Sequence, residues 1–358
     1  MKSRIKPIAI HLPQFHPFAE NDEWWGKGFT EWTNVTKAQP LFQGHYQPHL
    51  PADLGFYDLR LEEARLAQIE LAKAYGIYGF CYYHYWFNGK RLMHEPLDRM
   101  LNNPKEDFPF MLCWANENWS RTWDGENNQV LIAQEYSEKD HVAHANFLCS
   151  SFFKDNRYIK INNKPVFVFY KAKLIPKLTE TIKIWRNVVK AHGFEDIYLL
   201  CMDNFIDKPA EYYGFDGAIH FHPDYRYLKR SWPNIFAKLL HKLNIKKSIK
   251  YRHHYQTFNS YVDTVMNTNK QISKNVFSGI TPGWDNTARK KNNGIILDCS
   301  TPEKFRLWLK HTINNSNDEF LFVNAWNEWA EGNHLEPCQK WGKKYLEVIK
   351  EEVNNKQL

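Results

Sequence analysis

Six cysteines, Cys81, Cys113, Cys149, Cys201, Cys299 and Cys338, make no C-x-x-C pair, and several lie inside apolar runs where a thiol acts as a small hydrophobe. Neither a zinc site nor a disulfide framework is therefore expected, and no metal or cofactor enters the reading. Nowhere does an apolar run approach the roughly 20 residues of a membrane span. The first ten residues offer only Ile8, Ala9 and Ile10 in continuous apolar sequence, well short of a signal-peptide core. These absences point to a reducing, cytoplasmic setting. No G-x-G-x-x-G or G-x-x-x-x-G-K-[ST] follows a strand-like segment, so nucleotide-binding folds lack their signature. A D-x-D metal motif of the nucleotide-sugar transferase kind is also missing.

Acidic residues are missing from one further place, Tyr225 to Val262, where Arg226, Lys229, Arg230, Lys238, Lys242, Lys246, Lys247, Lys250 and Arg252 supply nine positive charges. The formal net charge is +7, so the rest of the chain stands at −2 and the basicity is local. Ile235, Phe236, Leu239, Leu240 and Leu243 recur there at helical spacing. A basic helical insertion at about 226–272 is expected. The favoured reading packs its apolar side on the protein and solvates its lysines. The alternative lays it on the inner face of an anionic membrane, near a lipid-linked acceptor. No nucleic-acid-binding module accompanies the charge, so nucleic acid is excluded as a partner.

What the chain has in excess is aromatic rings, 16% of its 358 residues, including 14 Trp. Short apolar segments alternate with helical patterns. Eight strands are expected, at Pro7 to His11, Gly76 to Trp86, Phe108 to Asn116, Pro165 to Tyr170, Ile197 to Met202, Gly217 to His222, Val276 to Ile280 and Phe320 to Asn324. Helices are expected at Asp58 to Tyr75, with Asp58 as cap, and at about Lys139 to Phe153, Lys177 to His192, Pro302 to Thr312 and Gly342 to Val353. A β-then-α alternation repeated eight times without a break in composition gives one α/β domain over residues 1–358, a single (β/α)8 TIM barrel with insertions at the carboxyl ends of its strands. A doubly wound sheet is the competing architecture. Ten of the Trp residues fall at the carboxyl ends of the expected strands, the end where such barrels place their active sites.

The last strand runs into Asn324, Ala325, Trp326, Asn327, Glu328, Trp329, Ala330, Glu331 and Gly332. Side chains three apart point to opposite faces of a strand, so Glu328 and Glu331 serve one pocket only if the chain curls, which Gly332 permits. In a helix-like turn, positions i and i+3 approach to about 5 to 6 Å, near the carboxyl separation of about 5 to 5.5 Å used by retaining glycosidases. Glu-x-x-Glu alone is common on solvated helices; the flanking Trp326 and Trp329 are what lift it above that reading. Glu328 is the candidate base or nucleophile and Glu331 the candidate acid/base. Glu117, in an Asn116-Glu117 pair that echoes Asn327-Glu328, ranks below them as a hydroxyl-binding residue. Further candidate substrate-binding residues are Trp25, His84, Trp86, Trp114, Asn116, Trp119, Trp284, Asp285, Trp326, Asn327 and Trp329; for His84, Trp86 and Asp285 capping or core roles compete closely. His220, His222 and Asp224 form H-x-H-x-D, weak as a metal motif without a third clear ligand, and only His222 is carried forward, for hydroxyl binding.

On these residues the chain resembles the WbsX family, grouped with bacterial polysaccharide-biosynthesis glycosyltransferases and related to the endo-α-mannosidases of glycoside hydrolase family 99. The resemblance is carried by LPQFHPFAENDEWWGKGFTEW (12 to 32), GHYQPHLPADLGFYDLR (44 to 60), GFCYYHYWFNGKRL (79 to 92), CWANENWSRTWDG (113 to 125), GWDNT (283 to 287) and NAWNEWAEG (324 to 332). It implies a retaining reaction in which Glu328 acts as base on the sugar's own 2-hydroxyl and Glu331 as acid/base. Ala330 stands where the mannosidases carry His, and much of the remaining pocket differs. The expectation is a carbohydrate-active enzyme that forms or remodels a glycosidic bond during assembly of a cell-surface polysaccharide, O-antigen or capsule. The alternatives are an endo-acting hydrolase of an α-linked glycan and a catalytically silent glycan-binding barrel.

Overall fold

The computed structural model describes residues 5–120, 129–229, 253–268, 275–290, 292–316 and 318–354. Nine parallel strands form a nearly closed ring: β1 (Lys6–His11), β2 (Gly79–Phe87), β3 (Phe110–Trp114), β4 (Lys164–Phe169), β5 (Tyr198–Met202), β6 (Gly217–Ile219), β7 (Val276–Phe277), β8 (Gly279–Ile280) and β9 (Phe320–Val323). β7 and β8 are consecutive halves of one stave, so the ring has eight positions. β7 pairs with β6, β8 pairs with β9, and β9 pairs with β1, which returns the sheet to its start. Gly279 explains the break between the halves. A Cβ there would lie 2.0 Å from the carbonyl oxygen of His220, so only glycine allows the two backbones to meet.

Around the ring run α1 (Ala19–Trp25), α2 (Glu31–Lys37), α3 (Glu62–Ala74), α4 (Glu95–Leu101), α5 (Glu138–Ser151), α6 (Leu178–Ala191), α7 (Ala210–Tyr213), α8 (Phe258–Met266), α9 (Pro302–Asn315) and α10 (Lys344–Asn354). The architecture is the (β/α)8 barrel. α5 and α9 begin on side-chain caps, Ser137 to the Asp140 N–H and Thr301 to the Lys304 N–H, with Pro302 in the first turn of α9. α3 starts later than its apolar stripe suggests. The Asp58 carboxylate accepts from the Arg60 backbone N–H at 2.8 Å and from the Arg60 guanidinium at 2.6 Å, closing a local turn ahead of α3, so the helix opens at Glu62 behind Leu61.

The strands are mostly apolar because both faces are covered, by the barrel interior on one side and by helices on the other. One packed cluster runs from β2 through β5 under α5 and α6, and a second joins β1 and β9 to α3, α9 and α10. Most of the basic insertion expected at about 226–272 lies outside the described residues. The described parts of it contain a strand, His254–Thr257, and α8. Among the described residues no helix is long and apolar enough to cross a membrane.

Candidate active site

After β9 the backbone makes the curl that two carboxylates on one cavity require. Asn327–Glu328 pairs antiparallel with Asn333–His334, and between them Trp329–Glu331 forms one turn of 3-10 helix. Gly332 closes the turn at φ +57°, where a Cβ would press on Asp285 at 3.1 to 3.2 Å. The Asn327 side chain bolts the turn to the end of β1, accepting from the Leu12 N–H at 2.7 Å and donating to the Leu12 carbonyl at 3.0 Å.

Glu328 and Glu331 both line a cleft of about 350 Å³ with Tyr83, Tyr85, Glu117, Trp119, Tyr170 and Trp284. The Arg289 guanidinium joins them: its Nη2 lies 2.8 Å from Glu328 and its Nη1 2.8 Å from Glu331. The same Nη2 meets Glu31 at 2.5 Å, and Glu31 also accepts from the Ala330 N–H at 3.1 Å. Three carboxylates thus surround one guanidinium. Burial raises Glu328, Arg289 opposes it, and Glu331 and Glu31 reinforce it, leaving the carboxyl at about 8. Burial likewise raises Glu331 against the pull of Arg289. Arg289 is held well above its ordinary value, because the three carboxylates more than offset its own burial. At neutral pH the pair retains a proton beside a full cation, the state from which one carboxyl can give a proton and its neighbour act as base.

The structure brings Glu117, Trp119 and Trp284 to the cleft with the two glutamates. Glu117 forms an ion pair there with Lys171, and Asn116 supports the pair by bonding the Lys171 backbone at 2.8 and 2.9 Å. Trp25 stands behind Trp119, 6.3 Å away edge to face, and stacks on Phe29. Asn327 positions the turn without reaching the cleft.

The other expected site residues lie elsewhere, each for a packing reason. On β2 the odd positions, Tyr83 and Tyr85, face the cleft, so His84 and Trp86 turn outward to α5, where His84 meets His144 at 2.9 Å and Trp86 bonds Asp140 at 2.9 Å. Trp114 is fully buried between His144 and Trp185. Trp326 is fully buried against Phe80, and Trp329 lies flat on His334 with ring centroids 3.8 Å apart. Asp285 bonds His45 at 2.5 Å and caps Thr287, lining a neighbouring cavity that also contains His49 and His334. His222 bonds the Tyr261 hydroxyl at 2.7 Å and packs against Trp308 under α8 and α9. Asp203 completes a trio with His220 and Asp224, ligand atoms within 4.8 Å of one another, but Arg226 already pairs with both aspartates.

Sequence reasoning missed Arg289, Glu31, Tyr83, Tyr85 and Tyr170. The parity of β2 was the available signal for the tyrosines, obscured because both faces of that strand are apolar. Glu31 sat in the quoted stretch ending TEW, and nothing in its local pattern distinguishes it from a helix N-terminal acid.

The profile described as Glycosyltransferase WbsX matches residues 7–349. A protein of Xanthomonas campestris pv. campestris strain B100, named WxcX and described as uncharacterized, is 36% identical over 351 residues, 96% of this chain and 49% of its own length. A WxcX protein from strain ATCC 33913 matches equally well, so this chain spans about half the length of the curated relatives it matches. Among solved structures, a glycoside hydrolase-like protein aligns with a TM-score of 0.63 at 15% identity over 98% of this chain and 94% of its own. A GH99 endo-alpha-mannosidase from Bacteroides thetaiotaomicron aligns with a TM-score of 0.57 at 13% identity over 98% and 97%. At those identities the likeness is one of fold.

Proposed function

The chain belongs to the WbsX glycosyltransferase family, which with its glycoside-hydrolase-like barrel supports a carbohydrate-active enzyme acting on glycans; we propose that it forms or remodels a glycosidic bond by a retaining, two-carboxylate mechanism. The observation that carries this is the Glu328–Arg289–Glu331 arrangement at the wall of an aromatic cleft.

Breaking a glycosidic bond needs a proton for the departing oxygen and electron density at the anomeric carbon. Glu331 is the more exposed of the two side chains, 18% against 7%, and reaches toward the sugar as acid/base. Glu328, anchored beside the end of the barrel strand, acts as base on the far side, either directly or through the sugar's own 2-hydroxyl. Both carboxylates lie 2.8 Å from nitrogens of one guanidinium, an arrangement compatible with the close spacing of a retaining pair. Arg289 keeps the pair from losing its common aim by repulsion. Tyr83, Tyr85, Tyr170, Trp119 and Trp284 offer flat apolar faces to pyranose rings and hydroxyls to their edges. The row of aromatic rings along the cleft suits an oligosaccharide or polysaccharide substrate, and O-antigen or capsule assembly is the setting consistent with the family. A lipid-linked acceptor and a place at the inner membrane face belong to this proposal too.

Transfer and hydrolysis use the same carboxylates and differ in what attacks the second step. Incubating the protein with an α-linked glycan, with and without added sugar acceptor, and following products by proton NMR separates them. The proposal expects a product of unchanged anomeric configuration, elongated when acceptor is present. Release of only inverted free sugar would overturn it. An endo-acting hydrolase, the second reading, would give retained free sugar regardless of acceptor.

A further inference from the structure

Behind the catalytic turn lies another buried carboxylate, one that the proposed chemistry does not use. Glu336 is 2% exposed. Its Oε2 accepts from the Tyr57 hydroxyl at 2.8 Å and from the Trp329 indole N–H at 2.6 Å, and its Oε1 accepts from the Gln68 amide at 2.7 Å. Every one of these donors is neutral, and among the described residues no cation pairs with it. Burying a carboxylate without a cation is costly, and burial pushes this one up to about 7 against the pull of its donors.

The three bonds tie together three separate parts of the molecule. Gln68 belongs to α3 and its other amide atom faces His11 at 3.1 Å, at the end of β1. Tyr57, in the loop before α3, meets the Asn327 amide at 3.3 Å, and Asn327 is the bolt to Leu12. Trp329 is the turn itself, its indole laid on His334 at 3.8 Å and set against Trp32 at 5.6 Å. Glu31 takes the Ala330 N–H. Two buried carboxylates thus hold the turn, Glu31 at the Ala330 backbone and Glu336 at the Trp329 indole. Trp329 follows Glu328 directly and shares one 3-10 turn with Glu331, so anchoring its indole restrains the backbone segment that carries both carboxylates.

We infer that Glu336 is a positioning residue for the cleft carboxylates: through the Trp329 indole N–H it fixes the rotation of the 329–331 turn, and with it the aim of Glu328 and Glu331 at Arg289 and the cleft. The inference rests on the two-carboxylate reading for its meaning, but its geometry can be tested without a substrate. Glu336→Gln keeps the shape and one acceptor oxygen, yet turns an amide N–H2 on either Gln68 or the Trp329 and Tyr57 donors. Trp329→Phe removes the N–H from the other end of the same bond.

The full chain is labelled with carboxyl-13C glutamate, and the titration midpoints of Glu328 and Glu331 are read by NMR, assigned with Glu328→Gln and Glu331→Gln. The inference expects each variant to move at least one midpoint by about half a pH unit or more, with the double variant adding little, since both break one link. The pH profile of turnover should move in step. Unmoved midpoints in folded Glu336→Gln and Trp329→Phe would overturn it, and should Glu336→Gln fail to fold, Trp329→Phe alone decides. Failure of the underlying mechanism has a different signature: turnover that survives loss of Glu328 and Glu331 while these midpoints still move.

Discussion

Arg289 has its guanidinium inside a shell of three carboxylates, with a side chain only 8% exposed. Removing one partner of such a buried cluster leaves the others uncompensated, which typically costs about 3 to 5 kcal/mol. Arg289→Met should therefore lower stability by that amount at pH 8, as measured by urea unfolding. The sign with pH follows from the carboxyls. Glu328 is raised in the folded protein from 4.5 to about 8, so the stability linked to its proton is complete below about 4.5 and is lost as pH rises through about 8. Without Arg289 the carboxyls rise further, so the variant should lose more of its stability between pH 6 and 9 than the parent. A flat difference between the two across that range would contradict this reading of the cluster. At this scale the sequence was half legible. Glu328 and Glu331 are marked by their neighbours and by Gly332, whereas Arg289 comes from a loop near residue 289 and Glu31 from the first turn of α2, and only the closed barrel brings these distant segments together.

Among the elements, α5 shows how a site residue and a core residue are told apart. Its His144 stacks on Trp86 at 4.5 Å with the rings 1° from parallel, bonds His84 at 2.9 Å and packs on Trp114 and Trp185. Burial lowers His84 to about 3 and His144 well below its ordinary 6.5, so both stay neutral. Stability linked to them is present above about 6.5 and is lost as pH falls below it, when the unfolded chain takes up protons that the folded one refuses. His144→Phe keeps the stacked ring and removes one such proton site. It should lessen the drop in urea midpoint between pH 7 and pH 4, at a cost of no more than about 1.5 kcal/mol at pH 7. A variant that is no less acid-sensitive than the parent would refute the assignment. The barrel strands and the five longer helices were legible because apolar runs bounded by glycine, proline and caps set their limits within a few residues, whereas the short α1, α2, α4 and α7 carry too little periodicity to be read. What was not legible was which face of a doubly covered strand meets the cleft: a period of two distinguishes faces only when one of them is polar. Hence the sequence marks His84 and Trp86 as readily as Tyr83 and Tyr85, and it is the tyrosines that line the cleft. The split of the seventh stave was hidden too, since it follows from the approach of His220 to Gly279 across the sheet.

For the molecule as a whole, the ring of strands explains why residues from positions 12 to 331 share one cleft. Each stave delivers its carboxyl end to the same rim, and the last one adds a curl that turns Glu-x-x-Glu from a strand pattern into a facing pair. The chain spans about half the length of the WxcX proteins it matches. The barrel's own contribution reduces to whether Glu328 and Glu331 act together. Turnover of a glycan by the parent, Glu328→Gln, Glu331→Gln and the double variant, each checked for folding by circular dichroism, tests that most directly. Each single change should cost on the order of 10³-fold or more in kcat, and the double change little beyond the worse of the two, as residues acting as a unit do. Folded single variants that turn over within about tenfold of the parent would contradict the account.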